Sequence, residues 1–215
     1  MLTLGDGKSK NDKQYGLNTT SRSKIIQEQC HDAGIHLAGI QEARTSAATR
    51  ITDLYHIFSG GADEHSAHGC ELWCAKLISI NSIRDLHVKT QHIAISHSDP
   101  TRIYAAIRAN PMNLDAFVMH APHSLRPLEE RRQWWSDSIS IALARQTPGI
   151  PLVIFIDSNG RVGSNISQSI GGLCPDLEDS NGAFLHTFCI ELHICLPSTF
   201  PVSYTHLTLP TTPYV

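Results

Sequence analysis

The sequence lacks a marked excess of charge of either sign. Its 17 Lys and Arg residues are nearly balanced by 20 Asp and Glu residues, which gives a formal net charge of -3. A strongly basic nucleic-acid binder is therefore not indicated, although the composition leaves room for a local basic patch.

Long apolar segments are missing as well. No apolar run approaches the roughly 20 residues that a membrane-spanning helix needs, so no contact with a membrane is expected. Met1 is not followed by a basic segment and an apolar core, the pattern of a secretory signal. No internal repeat is visible. We therefore expect an intracellular protein without a repeat architecture.

The cysteines lack the close, regular spacing of a disulfide framework. Scattered thiols of this kind predict reduced and mostly buried side chains in an intracellular protein. The six positions are Cys30, Cys70, Cys74, Cys174, Cys189 and Cys195.

What is present suits one globular domain with a sizeable core, because the 215 residues are 41% hydrophobic and 17% charged. Two strand-rich halves with flanking helices indicate an α/β protein in which helices cover the outer faces of two sheets. Leu2 to Leu4 could be the end of one more strand. Apolar periodicity, caps and turn residues predict helices over 22–33, 45–54, 124–145 and 181–194, and strands over 35–40, 55–58, 70–80, 91–96, 102–109, 114–120 and 152–157.

The last fifteen residues do not fit this pattern. Residues 201–215 are rich in threonine and proline and have no helical period. They resemble a translated sequencing adapter, so we interpret them as a non-native tail. The domain is accordingly predicted to cover residues 1–200.

Polar side chains follow three of the predicted strands. Gln41-Glu42 comes after the first, His120 to His123 after a later one, and Asp157 to Asn159 after the strand over 152–157. Functional groups gather at strand ends because a rigid sheet holds them in register while the loops stay open to substrate. The simpler alternatives are an exposed loop glutamate at position 42 and an Asx turn at Asp157.

Four other groups allow a functional and a structural interpretation. The first group allows either a zinc site or, for its two cysteines, buried thiols; its members are His65, His68, Cys70 and Cys74. Their spacing matches no strong zinc pattern. Glu71 is either an outer-sphere residue of the site or a strand-edge carboxylate. Arg126, Arg131 and Arg132 line a phosphate channel or a solvated helix face. For Trp134 and Trp135 we favour packing against the core over stacking on nucleic-acid bases. The core-facing stripe of the predicted helix over 124–145 contains Leu128, Trp135, Ile139 and Leu143.

Taken in order, these segments resemble the endonuclease/exonuclease/phosphatase superfamily. The resemblance spans residues 2–200. It is strongest to the endonuclease domains of LINE-type retrotransposons, because of the segment from Asn181 to Cys189 followed by Ser198-Thr199-Phe200. The other segments that carry it are Ile40-Gln41-Glu42, Gly69-Cys70-Glu71-Leu72-Trp73, Met119-His120-Ala121-Pro122-His123, Arg131-Arg132-Gln133-Trp134 and Ile156-Asp157-Ser158-Asn159-Gly160.

The resemblance implies a four-layered α/β sandwich and phosphodiester hydrolysis that depends on Mg²⁺, with Mn²⁺ as a possible substitute. By the same resemblance Glu42 would be the metal ligand, Asp157 would orient or deprotonate the attacking water, and Asn159 would hold a phosphate oxygen. The implied partner is the DNA phosphate backbone, and the implied location is intracellular, with the nucleus as one candidate compartment. The remaining candidates are His120, which would contact the scissile phosphate, and the substrate-binding residues His123, Arg131 and Asn181.

Three features depart from the superfamily pattern. No asparagine precedes the segment Met1 to Leu4, and neither an Asp-Tyr nor a Ser-Asp-His motif follows Phe200. The departures predict a C-terminally truncated chain that is impaired or inactive, with the hydrolysis belonging to the parent protein, because a catalytic unit loses most of its rate when one member is missing. Two alternatives stay open: a non-catalytic binding domain of the same fold, or a phosphatase that acts on a phosphomonoester or a lipid phosphate.

Overall fold

The fold is built on two four-stranded sheets. A computed structural model describes residues 20–65, 68–80 and 85–201, which divide into a compact unit ending at Asn159 and a second one starting at Gly160. The first unit contains helices α1 (Thr20–Asp32) and α2 (Leu128–Arg145) and strands β1 (Leu37–Ile40), β2 (Ala48–Ile51), β3 (Tyr55–Ser59), β4 (Glu71–Ala75), β5 (Ile93–Asp99), β6 (Arg102–Ala109), β7 (Met112–His120) and β8 (Leu152–Asp157).

The two sheets differ in the direction of their edge strands. The first sheet has the order β1-β4-β3-β2 and is antiparallel throughout. The second has the order β5-β6-β7-β8, in which β7 and β8 run parallel and bring His120 opposite Asp157. The parallel pair requires the long crossover through α2, and it places the carboxyl ends of both strands together.

The main core lies between the inner faces of the two sheets. Alternate residues of β4 and β6 point into it, as the period of two along a strand requires. Leu72 and Cys74 meet Ile103, Ala105 and Ile107 in one buried cluster.

Helix α1 covers the outer face of the first sheet. Its residues Ile26 and Cys30 pack against Tyr55, Ile57 and Trp73, which point away from the main core. Tyr55 and Trp73 also contact each other, with ring centroids 5.9 Å apart.

Helix α2 covers the outer face of the second sheet. The Nε1–H of Trp134 donates to the Thr101 hydroxyl at 3.1 Å, and the Arg102 guanidinium lies 5.4 Å from the Trp134 ring centre. Arg102 also donates to the buried hydroxyl of Ser138. The succession of helix, sheet, sheet and helix confirms the predicted four-layered α/β sandwich.

One predicted helix is wrong. Residues 48–51 of the expected helix over 45–54 form strand β2, which pairs with β3 from Ala48 opposite Ser59 to Ile51 opposite His56. Tertiary interactions override the local helix propensity here. They are the pairing with β3 and the ion pair from Arg50 to the buried carboxylate of Glu71.

The core-facing stripe of α2 is displaced from the predicted one. Leu128 and Leu143 are exposed, and the buried residues are Arg131, Trp134, Trp135, Ser138 and Ala142. The two tryptophans bury the largest apolar areas of the helix, so they turn the face that carries them towards the sheet. Their predicted packing role is confirmed.

Edge strands β1 and β8 approach each other closely. A Cβ atom on Gly39 would lie 2.2 Å from the Cβ of Phe155, so only glycine fits there. One residue after β1, the side-chain amide of Gln41 donates to the Phe155 carbonyl at 3.1 Å. These contacts bring the loop after β1 beside the end of β8.

The second unit contains α3 (Ser180–Glu191) and a short 3₁₀ helix (Pro197–Thr199). Asp179 caps α3 by accepting from the Gly182 N–H at 2.8 Å. Within this unit His186 contacts Glu178 at 3.1 Å and Ser167 at 2.8 Å. The predicted strand end at Leu2 to Leu4 and nearly all of the predicted tail lie outside the described residues. Across the described part of the chain, we find no helix with the length and apolarity to cross a membrane.

Candidate functional site

Loops from three strand ends and from the start of β4 converge in the first unit. The loop after β1 carries Glu42, and its backbone is bonded to the loop before β4: the Ala43 N–H donates to the Gly69 carbonyl and the Arg44 N–H to the His68 carbonyl, each at 2.9 Å. The Gly69 N–H in turn donates to the carbonyl of Pro100, between β5 and β6. The site is thus assembled by backbone hydrogen bonds that link both sheets.

Glu42 lies beside His120. The two side chains approach to 3.8 Å between Oε1 of Glu42 and Nε2 of His120. The other carboxylate oxygen, Oε2, is buried without a hydrogen-bond partner and has the Arg44 guanidinium at 3.6 Å. A buried carboxylate oxygen in this position is an acceptor available to a cation.

His120 is buried, and its Nδ1 atom has no hydrogen-bond partner. Burial lowers the pKa of His120 below its ordinary value and outweighs the opposite influence of the Asp157 and Glu42 carboxylates; His68 lowers this pKa further. The imidazole is therefore neutral at pH 7 and carries a single N–H donor.

Asp157 and Asn159 are held by a tight turn at the end of β8. The Asn159 N–H donates to Oδ1 of Asp157 at 3.0 Å, and its side-chain amide donates to the Ala121 carbonyl at 2.7 Å. The Ala121 N–H donates to the Asp157 carbonyl. The Asx turn expected as the simpler alternative is present, and it also fixes the carboxylate next to His120 on the neighbouring strand.

His68 is a site residue that the sequence analysis considered only as a zinc ligand. Its ring lies 5.4 Å from the ring of His120, centroid to centroid, and its Nε2 lies 3.7 Å from a carboxylate oxygen of Asp63. No local signal in the sequence separates this histidine from the other twelve. Its place follows from the pairing between the loops.

The zinc interpretation is wrong for the described residues. They contain no group of three or more His, Cys, Asp or Glu side chains that could hold a metal ion. Cys70 and Cys74 are fully buried next to apolar side chains, as the alternative interpretation predicted.

The predicted substrate-binding residues are placed differently from one another. His123 is exposed in the loop after β7, where its Nδ1 accepts from the Leu125 N–H at 3.3 Å. Arg131 is buried, so a solvated helix face is wrong for this residue; its Nε donates to the Arg126 carbonyl at 3.1 Å. Asn181 lies in the second unit and is fully buried at the start of α3.

Among the described residues of the first unit, the Glu42 carboxylate is the candidate ligand for a divalent cation. Its buried Oε2 fits a hard cation such as Mg²⁺, which prefers oxygen ligands and keeps several waters, so a cage of protein ligands is not required. Arg44 lies close enough to compete with the cation for the same oxygen. The donor set therefore fits Mg²⁺ or Mn²⁺ rather than zinc.

One of the solved structures similar to this chain agrees with this architecture. The endonuclease domain of TRAS1, a telomere-specific non-LTR retrotransposon, matches with a TM-score of 0.50 and 14% identity over 88% of this chain and 70% of that chain. TDP2 from C. elegans matches with a TM-score of 0.39 and 13% identity over 67% of this chain and 44% of that one. A truncated TDP2 from Caenorhabditis elegans gives a TM-score of 0.37 and 15% identity over 67% and 57% of the respective chains.

No protein-family model matches the sequence, and no curated protein matches it. At 14% identity the likeness to the TRAS1 domain is one of fold. The chain shares the fold of that endonuclease domain, and the predicted resemblance is confirmed at the level of the fold.

Proposed function

We propose that the cluster of Glu42, His120 and Asp157 hydrolyses phosphodiester bonds in DNA with the help of Mg²⁺. The observation that carries the proposal is the convergence of these three side chains from three separate strand ends, with a buried carboxylate oxygen and a buried imidazole nitrogen both lacking hydrogen-bond partners. The solved domain of similar fold with the highest TM-score given above is an endonuclease domain.

Glu42 would hold the cation through Oε2. Bound Mg²⁺ would supply neutralisation of the charge that develops on the phosphate oxygens. Arg44 lies beside the same carboxylate, and we assign it a contact with the phosphate backbone.

Asp157 would orient the attacking water and accept its proton. The bond from the Asn159 N–H to Oδ1 keeps the carboxylate in one orientation, which is what a general base needs to work on a bound water. Asn159 is fixed in turn by its bond to the Ala121 carbonyl, and we assign it the contact with a phosphate oxygen.

His120 would donate its single N–H to the scissile phosphate. Because its pKa is lowered by burial, the donor is a neutral imidazole, which can hold the phosphate without forming a fixed ion pair with Glu42. The DNA phosphate backbone would be the partner, with His123 as an exposed contact at the rim. A DNA substrate also favours a nuclear location.

The test is nicking of supercoiled plasmid by the purified chain with Mg²⁺, with Mn²⁺ and with EDTA. We expect weak metal-dependent nicking that Glu42→Gln and Asp157→Asn each slow by about 10²- to 10⁴-fold, whereas the matched control Asp137→Asn, on the exposed face of α2, nicks like the wild type. Nicking by either site variant at the wild-type rate would refute the assigned roles.

The same samples decide between the remaining alternatives. Release of phosphate from a phosphomonoester or a phosphoinositide, without plasmid nicking, would show a phosphatase. Metal binding without turnover of any of these substrates would show a non-catalytic domain of this fold.

A further inference from the structure

We infer that Glu71 and Thr45 form a buried support that positions Glu42 and so sets the affinity of the chain for a divalent cation. The inference rests on the proposed role of Glu42 as the metal ligand. It assigns Glu71 and Thr45 as positioning residues that act through the loop and touch neither cation nor substrate.

Glu71 is a fully buried carboxylate at the start of β4, and both of its oxygens are occupied. Oε1 accepts from the Thr45 hydroxyl at 2.5 Å and from the Arg50 guanidinium, while Oε2 accepts from the Trp73 Nε1–H at 2.7 Å. A buried charge is tolerated only when its partners satisfy it in this way.

The first sheet does not need this charge for its packing. The neighbouring side chains on the same face, among them Tyr55, Ile57 and Trp73, form an apolar cluster against α1. Buried ion pairs contribute little net stability compared with apolar residues of the same size, and their best-attested benefit is a unique conformation. The buried Glu71 carboxylate therefore acts by fixing a conformation.

Among the donors to Glu71, Thr45 belongs to the loop that carries Glu42. Because a carboxylate can only accept, the Thr45 hydroxyl donates to Glu71 and must accept from the Ser59 hydroxyl, 2.9 Å away. Ser59 accepts from the Gly61 N–H in turn. This relay ties the end of the loop after β1 to β3 and β4.

The loop needs such an anchor because its backbone is strained. Glu42 and Arg44 both have φ of 53°, in the left-handed region that side chains other than glycine, asparagine and aspartate rarely adopt. Surrounding contacts must maintain that conformation. The bonds from Ala43 and Arg44 to the loop before β4 hold the middle of the segment, and Thr45 holds its end.

The experiment measures Mn²⁺ binding by electron paramagnetic resonance on the full chain, with no substrate present. Thr45→Val keeps the side-chain shape and removes the hydroxyl, and Thr45→Ser restores the hydroxyl. Thr52→Val is the matched control, because the Thr52 hydroxyl also donates one bond, to Gln27 Oε1, and accepts one, from the Tyr55 N–H, away from the Glu42 loop. Thermal unfolding of each variant is recorded alongside.

We expect Thr45→Val to raise the Kd for Mn²⁺ by about 10-fold or more, the range seen when groups behind a metal ligand are removed. Thr45→Ser should bind like the wild type, and Thr52→Val should lower the melting temperature without changing the Kd. If Thr45→Val does not fold, Ser59→Ala replaces it, since it removes the donor to Thr45 and should raise the Kd in the same direction.

The outcome also separates this inference from the proposed function. Glu42→Gln should abolish Mn²⁺ binding; if it binds like the wild type, the metal role of Glu42 fails. If Glu42→Gln loses Mn²⁺ while Thr45→Val and Ser59→Ala both retain the wild-type Kd, the support role is refuted and the proposed function stands.

Discussion

Nε2 of His120 lies 3.8 Å from Oε1 of Glu42, although one residue ends β7 in the second sheet and the other follows β1 in the first. Both side chains keep a buried polar atom without a hydrogen-bond partner, Nδ1 of His120 and Oε2 of Glu42. Unpartnered buried atoms are costly for a fold alone, and their coincidence supports the proposed role of the two residues.

The first prediction concerns coupling between these two residues. Glu42→Gln and His120→Ala should each lower the nicking rate about 10²- to 10⁴-fold, and the double variant should be no slower than the slower single variant. The reason is that residues acting as one unit lose their joint contribution once either is removed. Single-turnover rates of the four proteins check this, and strictly multiplicative losses would contradict it.

The second prediction separates the backbone and side-chain roles of Asn159. This residue has φ of 47° and its amide donates to the Ala121 carbonyl. Asn159→Gly should keep the turn. Asn159→Ala should be less stable than Asn159→Gly by about 1 kcal/mol, because the left-handed backbone conformation is less favourable for alanine than for glycine. Both variants should lose nicking. Urea unfolding gives the stabilities; equal values for the two variants would show that the conformation is not maintained in solution.

A third prediction tests the close approach of β1 and β8. A methyl group on Gly39 would collide with the Phe155 side chain, so Gly39→Ala should destabilise the chain by about 1–3 kcal/mol, the usual cost of overpacking. Phe155→Gly, which also removes the clashing Cβ atom, should itself be destabilising, yet adding Gly39→Ala to it should cost little more. A double-mutant cycle by chemical denaturation measures this coupling, and additive losses would be evidence against the contact.

The fourth prediction is a loss of stability at acidic pH that depends on His56. Burial lowers the pKa of His56, and Lys76 adds to this, against the opposing bond to the Val88 carbonyl. A histidine whose pKa is lower in the folded than in the unfolded chain stabilises the fold above the unfolded pKa of about 6.5. That contribution is lost as the pH falls through the lowered folded pKa.

His56→Gln provides the comparison, because glutamine can still donate to Val88 and accept from the Thr90 hydroxyl, which lies 3.0 Å from His56 Nδ1. The free energy of unfolding of the wild type should fall more steeply from pH 7.5 to pH 5 than that of His56→Gln. Parallel pH profiles of the two proteins would disprove the assignment.

The fifth prediction concerns the thiols. Burial raises the pKa of Cys70 strongly and that of Cys74 to about 12, so neither forms a thiolate near pH 8, whereas Cys174 and Cys195 are exposed. A thiol reagent should label the two exposed cysteines rapidly and the buried pair only on unfolding. Mass spectrometry identifies the labelled peptides. Rapid labelling of Cys70 or Cys74 in the folded chain would contradict their burial.

Much of the architecture could be predicted from local signals. The strands β6, β7 and β8 and the helix α2 lie close to the predicted ranges, because strands and helices place their apolar residues at fixed periods. The failures have one cause. Both depend on partners far along the chain. Strand β2 forms because it contacts β3 and Glu71, and the orientation of α2 is set by the sheet against which Trp134 and Trp135 pack.

The sequence by itself determined that polar residues follow the strands ending near Glu42, His120 and Asp157, since the loops that leave a sheet face solvent. Only the tertiary structure decided that these residues meet, because register between β7 and β8 and the loop bonds from Ala43 and Arg44 are long-range interactions. The same interactions place the ring of His68 beside that of His120 and the Glu71 carboxylate within hydrogen-bonding distance of the Thr45 hydroxyl. Distance between side chains is a property of the packed sheets, and no periodicity along the chain encodes it.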